Sequence, residues 1–444
     1  ADLRLHNLDD DTDATVNLVS SDTTEGTVSP ATLTFKESNW NTAQTVTVTG
    51  VNDTDRDRNK SYKIRLTSED QKTDSPEVST FAGSPSGSTS SGSTNATGTS
   101  ARFAYPAFIT SDGTNLYVTD GSNHTIRKIV IATGAVTTLV GSPGSQGSTN
   151  ATGTSARFKF PRGIITDGTN LYVADMGNHT IRKIQIATGA VTTLAGSPGS
   201  YGSTNATGTS ARFRNPSGII TDGTNLYVAD TNNHLIRKIV ISTGAVTTIA
   251  GSPGSAGSTD GTGTSARFTY PRGITTDGTN LYVVDSLGHK IRKIVISTGV
   301  VTTLAGSNNG FADGTGTAAK FSYPYGITTD GTNLYVGDDN NHRIRKIVIS
   351  TGAVTTLAGS GSSGSADGTG TAARFKNSRG ITTDGTNLYV GDYGNHKIRK
   401  IVISTGVVTT LAGSGSSGST DGTSARFNGP RGITIDGTNL YVAD

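Results

Sequence analysis

Six histidines stand at equivalent places in a recurring stretch of sequence: His124, His179, His234, His289, His342 and His396. An aspartate lies four residues before each (Asp120, Asp175, Asp230, Asp285, Asp338, Asp392), and an arginine three residues after (Arg127, Arg182, Arg237, Arg292, Arg345, Arg399). Imidazole and carboxylate groups are metal ligands and proton carriers. A ring of imidazoles could hold an ion, but one histidine per unit stands about a unit away from the next, too far for several to reach one metal. The preferred reading is that each histidine orders its own loop. Each Asp–Arg couple is expected to pair by charge-assisted hydrogen bonds, within its unit or with the next.

A second set of cations precedes phenylalanine in Ala-Arg-Phe strings: Arg102, Arg157, Arg212, Arg267, Arg374 and Arg426, with Lys320 replacing one. Arg162, Arg272, Arg379 and Arg431 follow soon after. A third set is acidic. Asp9, Asp10, Asp11 and Asp13 form one cluster; Asn52, Asp53, Asp55 and Asp57 form another. Closely spaced oxygen ligands on loops suit Ca²⁺. Neither cluster has EF-hand spacing, and a solvated acidic turn is the other reading.

The elements that carry these groups follow from a repeat. Asp-Gly-Thr-Asn-Leu-Tyr-Val occurs seven times, its tyrosines being Tyr117, Tyr172, Tyr227, Tyr282, Tyr335, Tyr389 and Tyr441, spaced by 55, 55, 55, 53, 54 and 52 residues. Such a period marks a propeller, solenoid or array. In one unit, Gly163–Thr166 reads as strand a, Asp167–Asn170 as a tight turn, Leu171–Ala174 as strand b, Ile181–Ile186 as strand c and Val191–Ala195 as strand d. No segment keeps a helical apolar spacing. A four-stranded sheet cannot bury both faces alone, so it must stack on its neighbours, and radial stacking gives a β-propeller. The count is seven a, seven b, six c and seven d strands, the first d strand being Val78–Ala82. Seven blades are favoured, the last closed by that N-terminal strand, with six as the competing count. The chain opens at Ala1 and ends inside a unit, so both ends read as cut.

Strands a and c run one way, b and d the other. The d–a and b–c loops therefore share one face. That face carries the six histidines, the arginines and the long Ser/Gly/Thr loops, while the opposite face has only tight turns. Loops on a rigid scaffold are the usual place for binding, so this is the expected binding face, with His124, His179, His234, His289, His342, His396, Arg157, Arg162, Arg212, Arg267, Arg272, Arg374 and Arg379 as its candidate contacts.

The strings Pro161-Arg162-Gly163-Ile164, Leu171-Tyr172-Val173-Ala174-Asp175 and Asn178-His179-Thr180-Ile181-Arg182-Lys183-Ile184 resemble the NHL repeat, over roughly residues 78–444. The resemblance implies a β-propeller, most often six-bladed, and no single activity: members bind proteins or RNA, and a few relatives are metal-dependent lyases. The first 75 residues differ. Ala14–Val19, Ala31–Phe35, Thr45–Thr49 and Tyr62–Leu66 alternate as half-buried strands of an Ig-like sandwich. Val28–Phe35 and Asn39–Gly50 resemble Calx-beta-like repeats of bacterial surface proteins, which also points to calcium. The expected first strand is missing, and an open sheet edge accepts a strand from another subunit, so self-association is expected there.

The fold class expected is thus all-β, with a small Ig-like domain over residues 1–75 and a propeller over 76–444. Charge follows the same division. Residues 1–77 carry 15 acidic and 8 basic side chains, net −7; the remainder carries 19 acidic and 29 basic, net +10. No cysteine is present, which excludes disulfides, iron–sulfur clusters, thiolate zinc sites and cysteine nucleophiles. No apolar run approaches the ~18 residues of a membrane helix. Asn95, Asn150, Asn205, Asn123 and Asn178 match the N-glycosylation pattern. Exposed aromatics interleaved with the cations are not evident, which disfavours nucleic acid. Near-identical units supply the same residues everywhere, whereas an active site needs unlike residues at one spot. The expected function is a non-enzymatic extracellular or cell-surface scaffold of a bacterium or archaeon, contacting protein or glycan, with no required cofactor. The alternative is a metal-dependent lyase or hydrolase-like enzyme using the channel.

Overall fold

The computed structural model describes residues 91–417, 426–435 and 439–444 together with Ala82, and in the N-terminal part residues 2–3, 14–20, 26–35, 44–50 and 64–68. The chain divides into two compact units, Ala1–Ser75 and Pro76–Asp444.

In the first unit, Ala14–Ser20 pairs antiparallel with Thr32–Phe35 on one side and Ile64–Ser68 on the other. Gly26–Ser29 pairs with Thr47–Gly50, and Asp2–Leu3 with Gln44–Thr45. The last pairing supplies a short first strand that alternation alone does not reveal. Leu18 and Leu33, facing inward on neighbouring strands, are buried.

The second unit is a β-propeller. Among the described residues six blades are four-stranded, over residues 106–140, 161–195, 216–250, 271–305, 324–358 and 378–412. The seventh blade favoured by the sequence count is not completed among these residues. The seventh unit contributes only its a and b strands, Gly432–Ile435 and Leu440–Ala443, as a two-stranded sheet. Of the d strand expected to join it, Ala82 is described, and it packs against the apolar cluster that Tyr441 and Ala443 share with Leu116, Val118, Ile129 and Val136 of blade 1.

Blade 2 shows why the sequence folds this way. Strands Pro161–Thr166, Asn170–Asp175, Thr180–Gln185 and Ala190–Ala195 lie in that order. At the a–b turn, Asp167 Oδ1 accepts the N–H groups of Thr169 (2.9 Å) and Asn170 (2.6 Å). Gly168 takes the φ of +86° that the turn requires. The Tyr172 hydroxyl donates to Asp167 Oδ2 at 2.8 Å, so one carboxylate fixes both the turn and the ring buried behind it. Strand b is covered on both faces and reads as the continuous apolar run Leu-Tyr-Val-Ala. Tyr172, Ala174 and Ile181 pack on Phe213, Leu226 and Val228 of blade 3. The same cluster recurs between the other consecutive four-stranded blades, each large apolar side chain contributing about 1.5–3 kcal/mol on burial.

Two further devices complete the ring. In blades 1, 4, 5 and 6 the long loop before strand a lays two residues along the outer edge of strand d, as Ala96–Thr97 does on Ala135–Val136, and so covers an edge that would otherwise be open. At the inner end, glycine lets adjacent a strands touch. A Cβ on Gly218 would stand 2.1 Å from the Arg272 carbonyl oxygen, and one on Gly326 2.1 Å from that of Arg379. The contacts run round the axis to Gly432, whose Cβ would meet the Ala107 carbonyl at 3.0 Å.

Candidate binding site

The Asp–Arg couples lie within single blades and are completely buried. Arg182 Nη1 meets Asp175 Oδ2 at 3.0 Å, both side chains being 0% exposed. Arg182 also donates to the carbonyls of Arg157 (2.8 Å) and Thr149 (3.2 Å) and to Asn150 Oδ1 (2.8 Å). Its guanidinium lies over the Phe158 ring, 4.8 Å from the centroid, which leaves Nε without an acceptor. The arginine therefore staples the long d–a loop onto its own blade. In blades 4 to 6 aspartate replaces the loop asparagine, and Asp260, Asp313 and Asp367 each form a second ion pair with the same arginine. Burial pushes the Asp175 carboxyl up to about 6, opposed by Arg182, Asn178 and the Lys159 N–H. Asp285 is pushed to about 7 for the same reason.

The sequon asparagines belong to this network. Asn123 and Asn178 are buried, and their amide groups donate to Asp120 and Asp175. That leaves no room for a sugar on the nitrogen. Asn95, Asn150 and Asn205 each accept from the buried arginine through Oδ1.

The histidines do more than order their own loops. Each sits in the left-handed region, with φ between 55° and 62°. Each turns Nδ1 toward the following blade, where it accepts a backbone N–H: His124 from Phe160 (3.3 Å), His179 from Asn215 (3.2 Å), His234 from Tyr270 (3.2 Å), His289 from Tyr323 (3.2 Å), His342 from Asn377 (3.4 Å) and His396 from Gly429 (3.1 Å). Sequence spacing places each histidine in its own loop; its partner lies about 36 residues away and only the ring brings it near. An acceptor Nδ1 requires the neutral ring with its proton on Nε2. Burial lowers the pKa of His124, His179, His234, His289 and His396, which favours that form.

Of the cations in the Ala-Arg-Phe strings, Arg157, Arg212 and Arg267 are half-buried and fold back to donate to carbonyls of their own loops. Arg374 is exposed. The acidic clusters Asp9, Asp10, Asp11, Asp13 and Asp53, Asp55, Asp57 lie outside the described residues.

The remaining cations converge. In blades 2, 4, 5 and 6 the second residue of strand a enters an axial cluster, joined by Arg431 just before the seventh a strand, and at this position the repeat breaks down: Ala107, Arg162, Ser217, Arg272, Tyr325, Arg379, Arg431. Arg162 of blade 2 hydrogen-bonds through Nη2 to the Tyr325 hydroxyl of blade 5, three blades away. The Arg272 and Arg379 guanidiniums lie over the Tyr325 ring at 5.2 and 5.4 Å. Arg379 also covers Tyr393 at 3.9 Å, and Arg431 donates to the Tyr393 hydroxyl at 3.0 Å. Burial alone would raise the Tyr325 pKa; Arg162, Arg272 and Arg379 outweigh it and bring it below the ordinary phenol value. One carboxylate stands near, Asp339, whose Oδ1 is 3.9 Å from Arg379 Nε. Beside this cluster Arg162, Arg272, Ser217 and Thr231 line an open cavity of about 140 Å³.

Aromatic residues rim the same face. Tyr105, Phe160, Tyr270 and Tyr323 each precede an axial proline with φ between 49° and 55°, a strained conformation for such side chains. Tyr105 is 76% exposed and Phe160 43%. The sequence reading misses this rim. The signal for it is the aromatic or asparagine before Pro-X-Gly, which the longer repeat masks. Of the candidate contacts, Arg162, Arg272 and Arg379 come together at the axis; the histidines and Arg157, Arg212, Arg267 and Arg374 do not.

Fold and repeats together define a β-propeller whose units are similar to NHL repeats. No family model matches the chain. It is 30% identical over 279 residues to NHL repeat-containing protein 2 of Homo sapiens, covering 54% of this chain and 38% of that protein. It is 29% identical over 312 residues to Protein SUPPRESSOR OF QUENCHING 1, chloroplastic, of Arabidopsis thaliana, covering 66% of this chain and 29% of that protein. The chain spans less than half the length of the curated relatives it matches. Among solved structures, a streptogramin B lyase superimposes with a TM-score of 0.52 at 14% identity, covering 77% of this chain and 91% of that one. An auxiliary nutrient binding protein from Bacteroides thetaiotaomicron gives 0.50 at 19%, covering 76% of each. At such identities the likeness shows the propeller fold.

Proposed function

We infer that the protein is a binding platform rather than an enzyme, holding a glycan or protein ligand on the face of the d–a and b–c loops. One observation carries the reading. The aspartates, arginines and histidines that repeat in each blade are engaged in holding blades and loops together, whereas the side chains that differ between blades gather at one axial mouth. A Gly/Ser/Thr-rich, cysteine-free chain suits a secreted or surface-attached scaffold, with the N-terminal unit as an Ig-like spacer or assembly module. A seven-bladed ring closed by Val78–Ala82 is the finer architecture that accompanies this reading.

The test is to present the purified chain with arrays of glycans and peptides and to analyse every bound compound for chemical change. Retention without product is the expected result. Product formed by the wild type and abolished by Arg272→Met would replace the platform with a lyase or hydrolase-like enzyme centred on Tyr325, a phenol ringed by three guanidiniums.

A further inference from the structure

Charge at the axial mouth is unbalanced. Four guanidiniums, Arg162, Arg272, Arg379 and Arg431, face one nearby carboxylate, Asp339. Among the described residues Arg162, Arg272 and Arg431 form no salt bridge. Elsewhere in the propeller the buried arginines are each matched with an aspartate, so the excess belongs to this place and not to the repeat. Like charges gathered without counter-charges raise the local potential and attract an anion.

The cavity says what kind of anion. Arg162 and Arg272 stand in its wall, with the Ser217 and Thr231 hydroxyls and the Asn215 and Asn232 amides between them. The hydroxyls bond to each other at 2.6 Å, and Asn232 donates to Asn215 Oδ1 at 3.2 Å. These groups are thus held in place and retain lone pairs for a ligand. The Tyr270 ring closes one side, packed edge-on against His234 at 4.9 Å. Paired arginines suit an oxyanion. Fixed hydroxyls and amides beside an aromatic ring suit a polyhydroxylated body. The cavity is open and holds about 140 Å³, less than the roughly 300–1,000 Å³ usual for sites that enclose a whole ligand, so it takes one small unit with part of it left in solvent. A nucleic-acid strand needs a basic track with aromatics spaced along it; here the cations converge on a point.

Resting on the platform reading and deepening it, we propose that the axial mouth, between Arg162 and Arg272, binds an acidic sugar: a monosaccharide-sized unit, free or at a chain end, that carries a carboxylate or phosphate.

Calorimetry on the full chain would use a hexuronate, a hexose phosphate, the neutral hexose, inorganic phosphate and a single-stranded RNA oligomer. One or both acidic sugars should bind at least about tenfold more tightly than the neutral hexose and than inorganic phosphate, the equivalent of one hydrogen bond to a charged group. Whichever binds names the oxyanion. Arg272→Met should weaken that binding about tenfold or more, while Lys293→Ala on strand c of blade 4 should not. Equal binding of neutral hexose or inorganic phosphate, binding of the oligomer alone, no binding of either acidic sugar, or an unchanged Arg272→Met would each overturn the proposal. A melting curve of Arg272→Met superimposable on wild type separates a lost contact from a lost fold; if the variant unfolds, Arg162→Gln replaces it. The two readings fail separately. Turnover of the bound sugar removes the platform but leaves the anion site, and glycan or peptide retention elsewhere on the face does the reverse.

Discussion

The outer blade and the axial mouth are built from the same repeat and have diverged in opposite directions. At the blade periphery, Asp175, Asn178, His179 and Arg182 have counterparts in blade after blade, and their Nη, Oδ and Nδ1 atoms are answered by neighbouring groups of the fold. At the axis, one position of strand a runs through alanine, serine, tyrosine and four arginines, and these side chains reach one another across the ring rather than along it. A group that makes the same bonds to the fold in copy after copy is architecture. A group that varies from copy to copy while its neighbours stay fixed is free to meet something else.

Substitutions can break or sharpen this contrast. The largest effect is expected for Arg182→Met. It strands the buried Asp175 carboxylate and frees the d–a loop, costing about 3–5 kcal/mol, to be read by chemical denaturation. Adding Asp175→Asn should recover only part of the loss, because Asn178 and the Lys159 N–H also depend on that carboxylate. Gly218→Ala comes next. Its new methyl would stand 2.1 Å from the Arg272 carbonyl oxygen, for a cost of about 1–3 kcal/mol and a shift of the axial contacts, visible as altered tyrosine signals in NMR spectra. His234→Ala removes the acceptor that holds the Tyr270 N–H and should cost about 1 kcal/mol; a loss near that of Arg182→Met would mean that the histidines carry more than the link between blades.

Acid should act with two signs. Asp277 feels burial, which would raise its pKa, but bonds from Asn280, Tyr282 and two backbone N–H groups bring it to about 2. Unfolded, it returns to about 3.9, so the stability it lends is complete above that value and is lost as pH falls toward 2. Asp175 is displaced the other way, to about 6. The folded form takes up its proton first, so stability from such groups is greatest below about 4 and declines as pH rises through 6. The five histidines whose pKa burial lowers act in the opposite sense over the same range, so the carboxylate part is read by difference: from pH 7 to 5 the wild type should gain stability relative to Asp175→Asn, and both should lose it below pH 4; a wild type that gains nothing relative to that variant would contradict the buried-carboxylate account. The smallest effect on stability is expected for Arg272→Met, within about 0.5 kcal/mol as for a surface change. If it destabilised as much as Arg182→Met, the division between periphery and axis would fail.

Much of the propeller is legible in the sequence because its signals are local. Asp-Gly sets the a–b turn, alternation sets strand c, and the period of about 55 residues demands stacking. The Asp175–Arg182 pairing is equally readable, since both residues lie on paired strands seven positions apart. The histidine contacts are not, because their partners belong to the next blade and are backbone groups that leave no trace in side-chain identity. The axial cluster is hidden for a related reason. Arg162 and Tyr325 are 163 residues apart, and reading one unit as a template for the rest discards the very positions that differ. Tyr325 was within reach: it is where arginine or serine stands in the neighbouring Pro-X-Gly strings.

Because Gly163, Gly218, Gly273, Gly326 and Gly380 each seat the next blade's backbone in the same way, blades 2 to 6 all offer their successor the same seat, whereas blade 1 has Phe108 there. A gene that lost or gained one whole repeat would still encode joints of unchanged composition. Its product would nonetheless present a different axial cluster, since circumference decides which residue stands opposite Arg162. In such a ring, copy number decides which side chains face one another across the axis as much as any point substitution does.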